Sequence, residues 1–597
     1  MSQIKGEKMR DVNKLLKLFN KREKKKLLLL LMMMFVAAFL ETIGIGLIVP
    51  LVSIVTNPEI IDQPGILNSL YEYFNFQSAT SFIIFSILVL LLTFLIKNIY
   101  LLLFHYIQYK VIFNQQVKLS RRLLREYLIK PYTFHLQRNT SDLLRNVNEE
   151  VPKVFQGIVL SGFQLFTEIL VISCILLLLL INAPGVTITA SILLSTSVLL
   201  FYKYFRKKIN DLGIEEQRVT GSMIKWVNQG LGASKEVKVS GKESFFVNAY
   251  SKQSQLKAKN NLYMRMMEQI PRLFIETLLV TIVLFSMLII IMQGSNTTEL
   301  ITTMSLFAMA AFRLMPSINR VVAMITAIRY NRPALTVIYE DLIYNNSKEN
   351  LTRQTTALIN SNERIYKNAI RLTDITFRYP NQSIESIKNI SLTIPIGKSV
   401  AFVGESGAGK TTLVDIILGL LEPDKGSVTV DNKPLAVQKL VWQQKIGYIP
   451  QVIFLSDDSI RGNVAFGIED SLINDEEVWR SLEQAQLKQF VEDLPDQLET
   501  KVGERGVKLS GGQRQRIGIA RSLYHNPEIL FMDEATSALD NGTEKEIMKA
   551  IDGLKGDKTL IIIAHRLSTI ENCDIVFKLN KANLVAIENK LNKTVIS

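Results

Sequence analysis

The residues best suited to chemistry lie late in the chain. Gly404, Glu405, Ser406, Gly407, Ala408, Gly409, Lys410 and Thr411 spell G-x-x-x-x-G-K-[ST] between a short apolar run, Ser399–Val403, and a helical run, Thr412–Leu421. Strand, loop and helix in that order are the setting a phosphate cradle requires. The glycines let backbone N–H groups curl around phosphate oxygens, and the helix N-terminus adds its positive dipole end. Lys410 is placed to reach the β and γ phosphates of a nucleotide, and Thr411 to ligate Mg²⁺. A second apolar run, Ile529–Asp533, ends on the acids Asp533 and Glu534. Asp533 suits the metal. Glu534 stands where a general base or water-positioning carboxylate is needed for attack on the γ-phosphate. An acid pair after a strand is by itself more often a surface feature; behind a phosphate loop it gains weight.

Between the two lie Leu509, Ser510, Gly511, Gly512 and Gln513, and here the chain resembles the ATP-binding cassette (ABC) transporter family. The resemblance covers essentially the whole chain, with its motifs in family order. It implies that Tyr379, in Phe-Arg-Tyr-Pro, stacks on adenine and that Thr412 continues the nucleotide loop. It implies that Gln451, in Tyr-Ile-Pro-Gln, contacts Mg²⁺ together with Thr411 and Asp533 and reports to the membrane domain. Asp540, closing Ser-Ala-Leu-Asp, matches the D-loop. His565, in Ile-Ile-Ala-His-Arg, matches the switch histidine at the γ-phosphate, which makes Glu534, His565 and Gln451 the implied catalytic set. Glu504 matches the segment that meets the coupling helices of exporters. In this family the signature loop of one cassette completes the ATP site of another. The resemblance therefore implies a homodimer, each chain giving Lys410 and Glu534 to one site and Ser510 and Gly512 to the other. One departure is the missing Gly-Thr-His-x-Glu-Leu ending after His565, which touches no catalytic motif.

These elements need a body to position them. A chain of 597 residues exceeds what a single hydrophobic core serves, so at least two domains are expected. Hydrophobic residues make up 48% of it, concentrated before about Ile328. Six runs there are long enough to cross a bilayer core of about 30 Å: Leu27–Val52, Phe82–Phe104, Ile158–Ile181, Gly185–Tyr202, Ile270–Met292 and Ile301–Ile328. The net charge of +14 invites a nucleic-acid reading, but its distribution decides otherwise. Lys and Arg crowd residues 1–26, 109–156 and 203–269, and are absent from 56–80, 182–184 and 293–300. That is the positive-inside pattern, with both termini cytoplasmic. The 2 cysteines, Cys174 inside an apolar run and Cys573 near the far end, exclude a disulfide framework. No cleavable signal peptide is expected, since the first apolar run is too long.

The expected fold is thus an α-helical six-span transmembrane domain joined to an α/β P-loop NTPase of the ABC type. A basic arm covers 1–26, the transmembrane domain 27–328, a polar linker 329–365 and the cassette 366–597. The inner segments 109–156 and 203–269 read as helical hairpins reaching roughly 35 Å into the cytoplasm, turning near Pro131 and near Gly230–Gly232. In the first outer loop Ile66, Leu67, Leu70, Tyr71 and Phe74 recur at helical spacing without a basic residue. This is either an amphipathic helix on the outer leaflet or a cap on the bundle.

Ionisable residues within spans bear on the cargo, because each is costly there. They are Glu41, Lys97, Glu168, Arg272, Glu276, Arg313 and Arg320. Arg313 and Arg320 share a helix face, and Arg272 opens the fifth span. Three arginines converging on a cavity suit a phosphate or pyrophosphate headgroup; the alternative is that they snorkel or pair with the acids. Phe39-Leu-Glu41-Thr-Ile-Gly-Ile-Gly46, the outer helix and the arginines resemble bacterial flippases for lipid-linked oligosaccharides. That resemblance implies an exporter in a bacterial cytoplasmic membrane. A general lipid or multidrug exporter is the alternative, which the intramembrane charges disfavour. From another class, a non-pumping ATP-gated regulator is disfavoured by the intact Glu534 and His565. A peptide exporter is disfavoured because the 26 residues before the first span leave no room for a processing protease.

Overall fold

A computed structural model describes residues 11–56, 58–62, 65–182, 184–292, 297–344, 365–534, 541–564, 570, 572–589 and 594–596. The chain divides into two compact units, Met1–Lys130 with Arg138–Leu351, and Pro131–Gln137 with Thr352–Ser597.

The first unit is helical, as its apolar runs demand. Long helices span Lys21–Gly46, Ala79–Ile129, Ser161–Asn182, Pro184–Gly232, Glu243–Met292 and Thr297–Tyr339. Each of the six apolar runs falls largely on one of them, the first continuing into Ile48–Thr56. Among the described residues, three stretches are long and apolar enough to cross a membrane: Lys21–Gly44, Ala79–Ile129 and Thr140–Ile181. The helices of this unit bury Ala38, Val171, Ile175, Leu179, Ile275, Leu314 and Ile318 in one cluster and Met34, Ala37 and Phe104 in another. Elsewhere helices approach so closely that a Cβ on Gly213 would lie 2.1 Å from the Tyr330 carbonyl oxygen.

The first inner hairpin turns where Pro131 directs it. The helix stops at Ile129 and Lys130 takes an extended backbone, as a residue before proline prefers. The short helix that follows, Tyr132–Gln137, belongs to the second unit. The second hairpin also leaves its long helix at the expected stretch. Its helix runs on through Gly232, a short helix Ser234–Ser240 follows, and left-handed Gly241 ends that helix. Gly230 serves contact rather than reversal: a Cβ there would come within 3.3 Å of the Phe246 ring.

In the outer loop, a helix forms at Ile66–Tyr73. Its two faces differ. Leu67 and Tyr71 pack on Ile54, Ile61 and Phe82, while Leu70, Tyr73 and Phe74 are exposed.

The second unit is α/β. An antiparallel sheet of order β2-β1-β4-β5 uses Ala369–Phe377 (β1), Ile387–Pro395 (β2), Lys425–Val430 (β4) and Lys433–Pro434 (β5). The larger sheet, β11-β10-β9-β3-β8-β7-β6, is built on Ser399–Val403 (β3), Ile446–Ile449 (β6), Ile529–Asp533 (β7), Thr559–Ile563 (β8) and Ile575–Asn580 (β9). Asn583–Asn589 (β10) and Thr594–Ile596 (β11) add an antiparallel edge. β9, β3, β8, β7 and β6 run parallel. β7 and β8 are buried at every residue, which explains their unbroken apolar sequence. Parallel pairing sends the carboxyl ends of β3, β6 and β7 to one edge, where an open α/β sheet binds ligands.

Candidate nucleotide-hydrolysing site

β3 delivers the phosphate loop to that edge. Gly404, Gly407 and Gly409 all have positive φ, at 152°, 80° and 99°. A Cβ on Gly404 would lie 2.2 Å from the Leu579 carbonyl oxygen, and one on Gly409 would lie 2.7 Å from that of Ser386. The loop is glycine-rich because both conformation and space forbid side chains. The helix Lys410–Ile417 starts immediately after it. It is anchored by Leu413, Ile416 and Ile417, which pack with Phe402, Phe531 and Trp442. Glu405, Ser406, Gly407 and Thr411 remain exposed at the rim, while Ala408 and Thr412 are buried.

Lys410 is 5% exposed, and its Nζ donates to the carbonyls of Gly404 and Glu405, both at 2.9 Å. Burial pulls its pKa down, against the opposing pull of Glu534 and Asp533. The two acids arrive from β7: Asp533 is buried, and Glu534 sits just beyond the strand with φ 45°. Gln451, just past β6, donates from Nε2 to Glu534 Oε2 at 2.8 Å. Tyr379 reaches the same region through its hydroxyl, 3.1 Å from Thr412 Oγ1, and burial raises its pKa. Phosphate loop, Gln451, Asp533, Glu534 and Tyr379 therefore meet within one unit. Among them Thr411, Asp533 and Gln451 offer hydroxyl, carboxylate and amide oxygens, the hard donors that suit Mg²⁺ rather than a soft metal.

The signature residues cap another helix. Ser510 is the N-cap of Gly511–Leu523, its Oγ accepting from the Gln513 N–H at 3.2 Å while Gln513 Oε1 accepts from the Ser510 N–H at 2.8 Å. This capping box holds Ser510 in extended backbone and leaves Gly511 with open space beside it. Glu504 starts a short 3₁₀ turn, Glu504–Gly506, before it. Asp540 and His565 lie outside the described residues.

Sequence reasoning missed Asp415. It lies on the phosphate-loop helix, and burial together with Asp533 pushes its carboxyl up to about 6. An acid among the apolar residues Leu413–Leu418 was the available signal. Arg521 and Asn463 were missed as well, because both read as ordinary polar positions.

The arginines of the first unit do not share one environment. Arg320 forms a two-pronged pair with Glu168, Nε to Oε1 and Nη2 to Oε2 at 3.1 Å, and Nη2 also reaches Ser317 Oγ at 3.3 Å. Arg272 is exposed beside buried Pro271, and the side chain of Arg313 lies outside the described residues.

A parallel α/β sheet that presents a phosphate loop, a metal-binding acid and a carboxylate base, fused to long apolar helices, defines an ATPase that works on a membrane. Comparison with known proteins makes this particular. The ABC transporter family matches residues 387–537, and the ABC transporter transmembrane region matches 43–315. The ATP-dependent lipid A-core flippase of Saccharophagus degradans is 30% identical over 486 residues, covering 80% of this chain and 79% of that protein. Its namesake in Ralstonia nicotianae is 29% identical over 80% of this chain and 78% of the relative. A multidrug resistance ABC transporter ATP-binding and permease protein of Lactococcus lactis is 40% identical over 35% of each chain. The solved structure of a bacterial Atm1-family ABC exporter with ATP bound aligns with a TM-score of 0.76, covering 96% of both chains at 21% identity, which establishes the fold. The chain belongs to the ABC transporters, as an exporter-type half-transporter with its transmembrane region and ATP-binding cassette fused. It is an integral membrane protein whose ATPase is coupled to transport.

Proposed function

We propose that this half-transporter works as a homodimer that hydrolyses MgATP to flip an anionic, saccharide-bearing lipid across a bacterial cytoplasmic membrane. The observation that carries the lipid reading is the extent of likeness. Four relatives that align over 78–80% of the chain, transmembrane region included, are named for flipping a lipid, while a fifth so named and the multidrug relative align over 37% and 35%. Six spans, as the apolar runs suggest, would form the membrane half of each protomer.

In the ATP site Tyr379 offers a face for adenine, and the phosphate loop, Gly404 to Thr412, receives the phosphates on its N–H groups. Lys410 leaves the Gly404 and Glu405 carbonyls for the β and γ oxygens. When bound, Mg²⁺ neutralises charge on those oxygens; Thr411, Asp533 and Gln451 would hold it. Glu534 orients the attacking water and takes its proton, and Gln451, now bonded to Glu534, is the group that must move as the site fills. His565 and Asp540 would complete the γ-phosphate side, with Ser510, Gly511, Gly512 and Gln513 supplied by the partner.

For the cargo, Arg272, Arg313 and Arg320 are the candidate headgroup site, with the lipid tail beside the exposed Leu70, Tyr73 and Phe74. One observation favours the second reading, a general lipid or multidrug exporter: Arg320 already spends its fork on Glu168. ATPase activity in lipid nanodiscs separates the two. Selective stimulation by polyprenyl-pyrophosphate sugars supports the flippase. Equal stimulation by hydrophobic drugs or ordinary phospholipids supports the general exporter.

A further inference from the structure

One buried polar knot in the cassette is used by none of the roles above. Asn463 is 0% exposed. Its Oδ1 accepts from the Ser456 backbone N–H at 3.0 Å and the Ser456 hydroxyl at 3.2 Å. Its Nδ2 donates to the carbonyls of Ser456 and Ser459, both at 3.0 Å. Arg521 closes the knot from the signature helix. Nη2 donates to Asn463 Oδ1 at 3.0 Å, Nε to the Asn463 carbonyl at 2.8 Å, and Nη1 to the Phe454 carbonyl at 2.7 Å. The guanidinium lies over the Phe466 ring, 4.5 Å from its centroid.

The two ends of this knot matter. Phe454 lies three residues beyond Gln451, and Arg521 is in the last turn of the helix that Ser510 caps. A guanidinium is a rigid planar fork, and its bonds to three acceptors on one segment fix that segment in orientation as well as distance. Asn463 meets every acceptor and donor it presents inside the protein, so the segment has no alternative partner in water. An ordinary helix-to-loop contact would fix neither so fully.

We propose that Arg521 and Asn463 are positioning residues for ATP hydrolysis, clamping the segment that follows Gln451 to the signature helix so that Gln451 and Ser510 shift together. The clamp rests on the roles proposed for Gln451 and Ser510. Neither Arg521 nor Asn463 touches nucleotide; each acts through the placement of others.

The test is Arg521→Lys in the full chain, reconstituted in nanodiscs and assayed with MgATP. Lysine keeps the charge but cannot hold Phe454 and Asn463 at once. We expect kcat to fall about tenfold and KM for ATP to stay within about threefold, in assays run well below an unfolding midpoint that the lost buried hydrogen bonds lower modestly. Combined with Gln451→Ala, the loss should be no greater than for Gln451→Ala alone, because both changes break one linkage. Wild-type kcat in Arg521→Lys overturns the clamp, as does a loss that multiplies with that of Gln451→Ala or that disappears at a lower assay temperature where the variant is fully folded. Wild-type activity of Gln451→Ala alone would instead overturn the role given to Gln451. If Arg521→Lys yields no folded protein, Asn463→Asp, which loses both donors to the loop carbonyls, carries the same measurements and the same overturning results.

Discussion

Glu534 combines a chemical role with an uncommon backbone. Its φ of 45° is left-handed, a conformation that costs a non-glycine residue on the order of 1–3 kcal/mol, and it persists next to an acid-lined phosphate loop. Strain of that kind is expected where a side chain must be aimed. Glu534→Gln preserves shape and the contact with Gln451 but removes the base, so turnover should fall about a hundredfold or more. Nucleotide binding, followed by fluorescent ATP analogues, should survive. A second expectation concerns Gly409, where φ is 99° and a Cβ would meet the Ser386 carbonyl oxygen at 2.7 Å. Gly409→Ala should therefore weaken nucleotide binding and lower cassette stability together, by on the order of 1–3 kcal/mol in the thermal midpoint analysis. These residues were legible in the sequence because phosphate binding needs a fixed spacing along one turn. Asp415, Asn463 and Arg521 were not, because their partners come from other parts of the cassette and no local period marks them.

At the scale of elements, the strands ending at Val403 and Asp533 were readable from unbroken apolar runs. The hairpin at Pro131 was readable from proline chemistry. The end of the second hairpin's first helix at Gly232 was readable from its glycines, but the Gly230 contact with Phe246 is decided by a neighbouring helix and was not. Nor did the sequence reveal the polar cluster behind the first hairpin. There Tyr127 donates to Asp341 Oδ2 at 2.5 Å, and Asn146 Nδ2 donates to the same oxygen at 3.1 Å. Burial, then Asp341, raises the Tyr127 pKa, so the phenol stays a donor at any physiological pH. Asn146 lies in a π-helical turn, Asn146–Glu150, and Arg145 Nη2 donates to its Oδ1 at 3.0 Å. Asn146→Ala should cost about 1–3 kcal/mol by leaving buried groups unpaired, read as a lower unfolding midpoint in detergent. The Arg320–Glu168 pair belongs here too. If it is structural, Arg320→Ala should reduce the yield of folded protein and adding Glu168→Ala should restore it. If Arg320 instead binds cargo, yield is kept while lipid-stimulated ATPase is lost.

At the scale of the whole molecule, one chain carries one phosphate loop and one signature helix. In the proposed dimer Lys410 and Ser510 act on the same ATP only across the symmetry axis. Neither Lys410→Ala nor Ser510→Arg homodimers should hydrolyse ATP, while co-expressing the two should return activity through one intact site. Failure of the mixture to do so would speak against shared sites. Hydrolysis at Glu534 is proposed to drive a lipid across the bilayer, and lipid movement itself is the direct measurement. The protein would be reconstituted into liposomes carrying a fluorescent polyprenyl-pyrophosphate sugar, and the fraction of headgroups in each leaflet followed after adding MgATP. Wild type should move the lipid in an ATP-dependent way, and Glu534→Gln should leave it where it started. Equal movement by wild type and Glu534→Gln, or none above empty liposomes in a preparation that hydrolyses ATP, would rule out ATP-driven flipping of this lipid.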